Sequence, residues 1–235
     1  MGTSTLQTRW KNWLRKKLNE QKLPIPDVRP PNQPWQPIQR NETNIATITF
    51  YHCDSKSLVI PIRDISNKND AKHDPNLETL TYGLFSHCFK KERKGIVEKG
   101  ITTQFFSTTR ANNTRVLTGY YHPTWYCRID NEDYAIAAES ARFVSPGYAL
   151  SDLLSFFEGY PIDQFFYWKY IREKKVIERL KLLIDSAPDA TAQYVAEIHR
   201  FEDLSLKQNG CMYSDRLEGF SWEYAGELMR KWGLI

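Results

Sequence analysis

No C-x-x-C pair occurs in this sequence: Cys53, Cys88, Cys127 and Cys211 are scattered singly along 235 residues. This excludes the commonest spacing of structural zinc ligands and the dense cysteine framework of small secreted domains. No apolar run approaches the roughly 20 residues that cross a bilayer, so no membrane span is expected. The opening stretch MGTSTLQTRWKNWLRKKL lacks the apolar centre of a secretory signal. Leu6 stands where an N-myristoylation signal needs Ser or Thr. Without an export signal the thiols read as reduced, the sequons at Asn41 and Asn112 carry no meaning, and the expected location is cytoplasmic. The Gly-rich phosphate loop, the G-x-G-x-x-G dinucleotide fingerprint and the G-x-S-x-G nucleophile elbow are also missing, and no cofactor is expected.

What remains is a chain rich enough in hydrophobic (41%) and aromatic (14%) residues to bury a core. Its net charge of +4 is unevenly spread: Lys and Arg dominate residues 1–40 and 83–115, and acids dominate 130–165. Such asymmetry gives a molecule one positive face, which attracts polyanions. Three regions follow from the pattern. Residues 1–42 combine a basic amphipathic helix (Leu6, Trp10, Trp13, Leu14 and Leu18 on one stripe) with a Pro-rich extended tether carrying Trp35. Residues 43–147 are β-rich. They contain the strands NIATITFYHC, KSLVIPIRDI, ITTQFFSTT and TRVLTGYYH, and a helix expected from Leu84 to Lys94 that Gly95 ends. The turn RANN joins two of those strands, its Asn residues tolerating left-handed backbone. Residues 148–235 read as helical: SDLLSFFEG, a long amphipathic helix over IDQFFYWKYIREKKVIERLKLLIDSAP, a helix started by Asp189, and a last one from Ser221 to Gly233. The fold class is α+β, a mixed β-barrel-like domain with an N-terminal helix and a C-terminal helical region.

Chemistry is sparse. His52-Cys53 and His87-Cys88 are adjacent pairs, and neighbours on a strand point to opposite faces, so no metal site is expected. Cys88 sits among cations, but His87 on the same helix cannot face it as a base. Glu132 and Asp133 lie in a turn, where solvation leaves carboxylates ordinary. Asp54, Lys56 and Asp64 follow strand ends and keep open a metal-dependent nuclease, whose chemistry needs acids and a Lys around Mg²⁺. The richest stretch is TRVLTGYYHPTWYCRI. By strand alternation Val116, Thr118, Tyr120 and His122 share one face, and Leu117, Gly119 and Tyr121 the other. Trp125, Cys127 and Ile129 are expected in the core, with Tyr126 and Arg128 outside. Gly119 leaves room for a backbone or a flat ring to approach. Lys90, Lys91, Arg93 and Lys94 on the basic helix, and Arg110 and Arg115 at the strand turn, would hold phosphates while Tyr120, Tyr121, His122, Trp125 and Tyr126 accept a base. DNA or RNA is thus the expected partner. An interaction scaffold whose basic helix meets an acidic protein stays open as a third reading. The C-terminal helices, whose QFFYWKY is more aromatic than one stripe can bury, are a separate surface for a second copy or a protein partner.

The helix LFSHCFKKERKGIVEKG, the strands TTQFFSTTR and RVLTGYYHPTWY, and the closing ARFVSP together resemble the PUA-like superfamily, which includes the EVE, YTH and ASCH domains. The likeness covers residues 43–145. It implies a small barrel that binds RNA or DNA, often reading a flipped or modified base in an aromatic cage, and the leading reading is a non-enzymatic binder. Tyr121, His122, Trp125 and Tyr126 are the nearest cage candidates. The polar insert at 64–79 and the long C-terminal part depart from the minimal domain.

Overall fold

The computed structural model describes residues 33, 35–41, 44–53, 59, 75–83, 89–110, 112–157 and 167–209, of which 201–209 as backbone only. The helices expected at 6–20 and 221–233 lie outside them. Seven strands form one mixed sheet: β1 (Gln36–Pro37), β2 (Ala46–Phe50), β3 (Thr81–Tyr82), β4 (Thr103–Thr109), β5 (Arg115–Arg128), β6 (Tyr134–Ala149) and β7 (Trp168–Ile171). Helix α1 (Lys90–Lys99) precedes β4, a 3-10 helix (Leu150–Phe156) follows β6, and α2 (Lys174–Ser186) and α3 (Thr191–Asn209) follow β7. The chain is therefore α+β. The strand order is β3-β6-β5-β4-β2-β7, with β1 added beside β5, and the sheet is open, not closed into a barrel. Within the described residues no helix is long and apolar enough to cross a membrane.

Local sequence explains most of these elements. β5 and β6 are joined at Asp130–Asp133, where the Ile129 amide donates to the Asp133 carbonyl (2.8 Å). β4 and β5 are joined at Arg110–Thr114, with Asn113 in the left-handed conformation (φ 62°) that Asn tolerates. β2 and β4 run parallel, from Ala46 opposite Thr103 to Phe50 opposite Ser107, with β2 between β4 and the edge strand β7. The end of the Pro-rich tether lies along β5: Gln36 and Pro37 pair with Tyr126 and Trp125, and the Ile38 amide donates to the Thr124 carbonyl (2.8 Å).

Consecutive residues divide between two cores, as they must on the two sides of a sheet. One core gathers Tyr51, Tyr82, Ile96, Phe106, Val116, Tyr121, Phe143, Tyr194 and Ile198, bringing α1 and α3 to one side. The other gathers Ala46, Ile48, Phe105, Leu117, Val144, Ile171, Leu180 and Ile184, bringing α2 and the 3-10 helix to the opposite side. Each Val, Leu, Ile or Phe side chain among them contributes about 1.5–3 kcal/mol by burial.

Three expectations are corrected here. The helix runs from Lys90 to Lys99 and is capped at Gly100, so Gly95 lies inside it. A methyl at Gly95 would overlap the Tyr170 hydroxyl, so this Gly permits close packing and does not stop the helix. The segment WKYI is strand β7, paired with β2, and the helix behind it starts only at Lys174. Finally, the pairing of β5 with β6 shifts between Leu117 and Gly119. That bulge reverses the alternation, placing Tyr120 with Leu117 and Tyr121 with Val116, the opposite of strict period-two counting. The space beside Gly119 is taken by the Arg142 carbonyl and the Phe143 ring of β6.

Candidate nucleic-acid interface

The bulge and the tether together scatter the expected aromatic cage. Tyr121 is fully buried; its hydroxyl donates to the Asn76 carbonyl (2.8 Å) and its ring packs edge-on to Phe106 (4.9 Å). Tyr126 donates to the Gln36 amide oxygen (2.8 Å), and half-buried Trp125 is paired with Pro37. Tyr120 faces α2 and donates to Asp185 (2.7 Å). His122 is half-buried on that same side, its pKa lowered first by burial and then by Lys181 and Arg40. The structure thus does not bring Tyr121, His122, Trp125 and Tyr126 around one ring-sized space.

The cations separate as well. Arg93 is fully buried in an ion pair with Asp133, Nη2 to Oδ1 at 2.8 Å and Nε at 3.1 Å, so it is withdrawn from any surface. Lys90 is exposed and reaches Asp130 (3.4 Å), near the β5–β6 turn. Lys91 is exposed, and Lys94 pairs with Glu98 one turn on (3.8 Å). Arg110 donates to the carbonyls of Pro146 and Gly147, and the Arg115 guanidinium lies over the Phe50 ring (5.6 Å). These two sit at the far end of β5, a strand of 14 residues, from the turn that Lys90 touches. At about 3.3 Å per residue the ends lie roughly 40 Å apart, so the strand turn and the start of the basic helix form two footprints.

A different surface does interleave rings with cations. Tyr170 on β7 projects against α1 where Gly95 makes room, and its ring is flanked by Lys99 Nζ at 5.6 Å and the Arg172 guanidinium at 5.7 Å. Trp168 meets it edge-on at 4.9 Å. Tyr167 follows the same strand outward, 69% exposed, with its ring edge-on to Phe89 at the start of α1 (6.1 Å). Burial is the main cause that raises the Tyr170 pKa, so the phenol stays neutral and available as a donor. With Lys91 and Lys94 on the adjoining helix, this is a basic and aromatic surface across α1 and β7. Sequence reasoning missed its β7 half because it placed WKYI in a helix; the dense aromatic and β-branched content of the segment was the available signal.

Beneath α1 lies a buried polar network. Tyr82 donates to Glu92 Oε2 (2.9 Å), Thr49 donates to Oε1, and the Gln104 amide bridges Thr49 (3.1 Å) and Glu92 (3.4 Å). Burial pushes the Glu92 pKa up to about 7, against the hydrogen bonds that favour the charged form. A fully buried carboxyl cannot meet a substrate, so it serves α1 rather than catalysis. Among the described residues no group of three or more His, Cys, Asp or Glu could hold a metal ion. Asp54, Lys56 and Asp64 of the nuclease alternative lie outside the described residues. In comparisons with known proteins, no family model, curated protein or solved structure matches this chain.

Proposed function

We propose that this chain is a non-enzymatic nucleic-acid-binding protein of PUA-like type that engages unpaired nucleotides across α1 and β7. The observation that carries the reading is Tyr170, bracketed by Lys99 and Arg172 beside exposed Tyr167. Exposed rings accept bases by stacking regardless of sequence, while cations such as Lys99 and Arg172, held over Tyr170, neutralise phosphates. Lys90, Lys91 and Lys94 extend the positive track along the helix. A flipped or modified base would rest on the exposed Tyr167 ring at this surface rather than among residues 120–126, whose rings are less exposed.

Fluorescence anisotropy with single- and double-stranded DNA and RNA, including methylated bases, at two salt concentrations and with Mg²⁺ or EDTA, tests this directly. Salt-sensitive binding without a metal requirement is expected, and Tyr170→Ala should weaken it by about 1–3 kcal/mol. Absence of binding at low salt, or unchanged affinity in a folded Tyr170→Ala variant, would overturn the reading. Metal-dependent cleavage would instead favour the nuclease built on Asp54, Lys56 and Asp64.

A further inference from the structure

On the opposite side of the sheet, three separate elements bring cations to one place. Arg142 on β6 clamps the end of α2, donating to the carbonyls of Ile184 (3.3 Å), Asp185 (3.0 Å) and Ala187 (2.7 Å). That clamp fixes the last turns of α2 against β5 and holds Lys181 Nζ over the Tyr120 ring at 5.4 Å. His122 lies two residues further along β5 and is paired with Ser140 of β6, whose side chain is exposed. The tether, anchored by Ile38 to Thr124, carries exposed Arg40 past the edge of β5, its backbone against Gly100 at the end of α1 and its charge acting on the imidazole.

We propose that His122, Lys181 and Arg40, with the Ser140 hydroxyl beside them, form a binding site for a phosphate group. A dianion is suited to this set: an ammonium, a guanidinium with paired donors, and an imidazole that gains a proton when a negative charge arrives. Two carboxylates border it. Glu139 on β6 opposes an anion, and Asp185 on α2 is already engaged by Tyr120 and Arg142. Burial together with Lys181 and Arg40 keeps His122 below its usual pKa, so an empty site holds a neutral imidazole and an occupied one a cation. The site uses none of the residues proposed for the nucleic-acid surface and does not depend on that reading.

The test follows the His122 ring resonances by NMR on the full chain at low ionic strength. Inorganic phosphate, a nucleoside 5′-monophosphate and the matching nucleoside are each titrated in. Both phosphates should shift the ring signals and raise the His122 pKa, and the nucleoside should do neither. Tighter binding of the monophosphate assigns the site to an esterified phosphate, and equal binding to the free anion. Lys181→Ala or Arg40→Ala should weaken the response roughly tenfold, and Lys181→Arg should retain it. A His122 signal unmoved by millimolar phosphate would overturn the proposal. So would a response to the nucleoside alone, or an unaltered response in both alanine variants.

Discussion

A carboxyl group buried among hydroxyl and amide donors leaves a signature in the pH dependence of folding, and Glu92 is such a group. Folded, it keeps its proton up to about pH 7; unfolded, it releases it near the ordinary value of 4.5. Between those values the native state binds the proton more tightly, so stability is highest below the unfolded pKa and falls as pH rises through the folded one. The loss is on the order of a few kcal/mol. Urea unfolding at about pH 5 and about pH 8 should show a higher midpoint at the lower pH, and Glu92→Gln should flatten that difference. A Glu92→Gln variant that keeps the wild-type slope would place the titration elsewhere. This residue was hard to read from KKERKG alone. A helix taken to end at Gly95 loses Ile96 and Val97, the apolar residues that fix which side faces the sheet. Once Ile96 is inside, the helical period carries Glu92 and Arg93 inward with it.

At the scale of elements, α1 and β7 are fitted together by the absence of one methyl group. In a free helix Ala is preferred to Gly by about 1 kcal/mol, so Gly95→Ala should stabilise if only helix propensity mattered. Here the added carbon meets the Tyr170 hydroxyl, and the variant should lose stability. Tyr170→Phe removes the obstructing oxygen, so the double variant should recover part of the loss in a thermal-unfolding cycle. Additive effects would mean that the two positions do not touch. The strands themselves were largely legible: FFSTT, RVLTGYYH and the Asn-bearing turn announce β4, β5 and their hairpin by composition. Their faces were not. A bulge adds one residue to a strand without any mark in composition, and alternation counted across Gly119 assigns Tyr120 and Tyr121 to the wrong sides, with further register shifts around Pro123.

Among the described residues the positive charge falls into separate patches, and the proposed interface uses only one of them. Replacing Lys91 and Lys94 by Ala should weaken oligonucleotide binding and lower the slope of log K against log salt by about one for each phosphate no longer neutralised. Replacing Arg110 and Arg115, at the far end of β5, should leave that slope unchanged. Equal effects of the two pairs would point to a nucleic acid wrapping the entire sheet. Charge asymmetry along the chain foretold a basic region, but only the fold could divide it, because β5 alone separates its ends by roughly 40 Å. The parallel pairing of β2 with β4 also constrains how the molecule comes together. The bond from the Thr108 hydroxyl to the Tyr51 carbonyl spans 57 positions, whereas β4, β5 and β6 are joined by tight turns. Closing the longer loop costs more chain entropy than closing either hairpin. The β4–β5–β6 meander is thus the part of the sheet that can assemble locally, and it already forms the middle of the finished sheet; the β2–β7 flank is added when β2 arrives from a distant part of the chain.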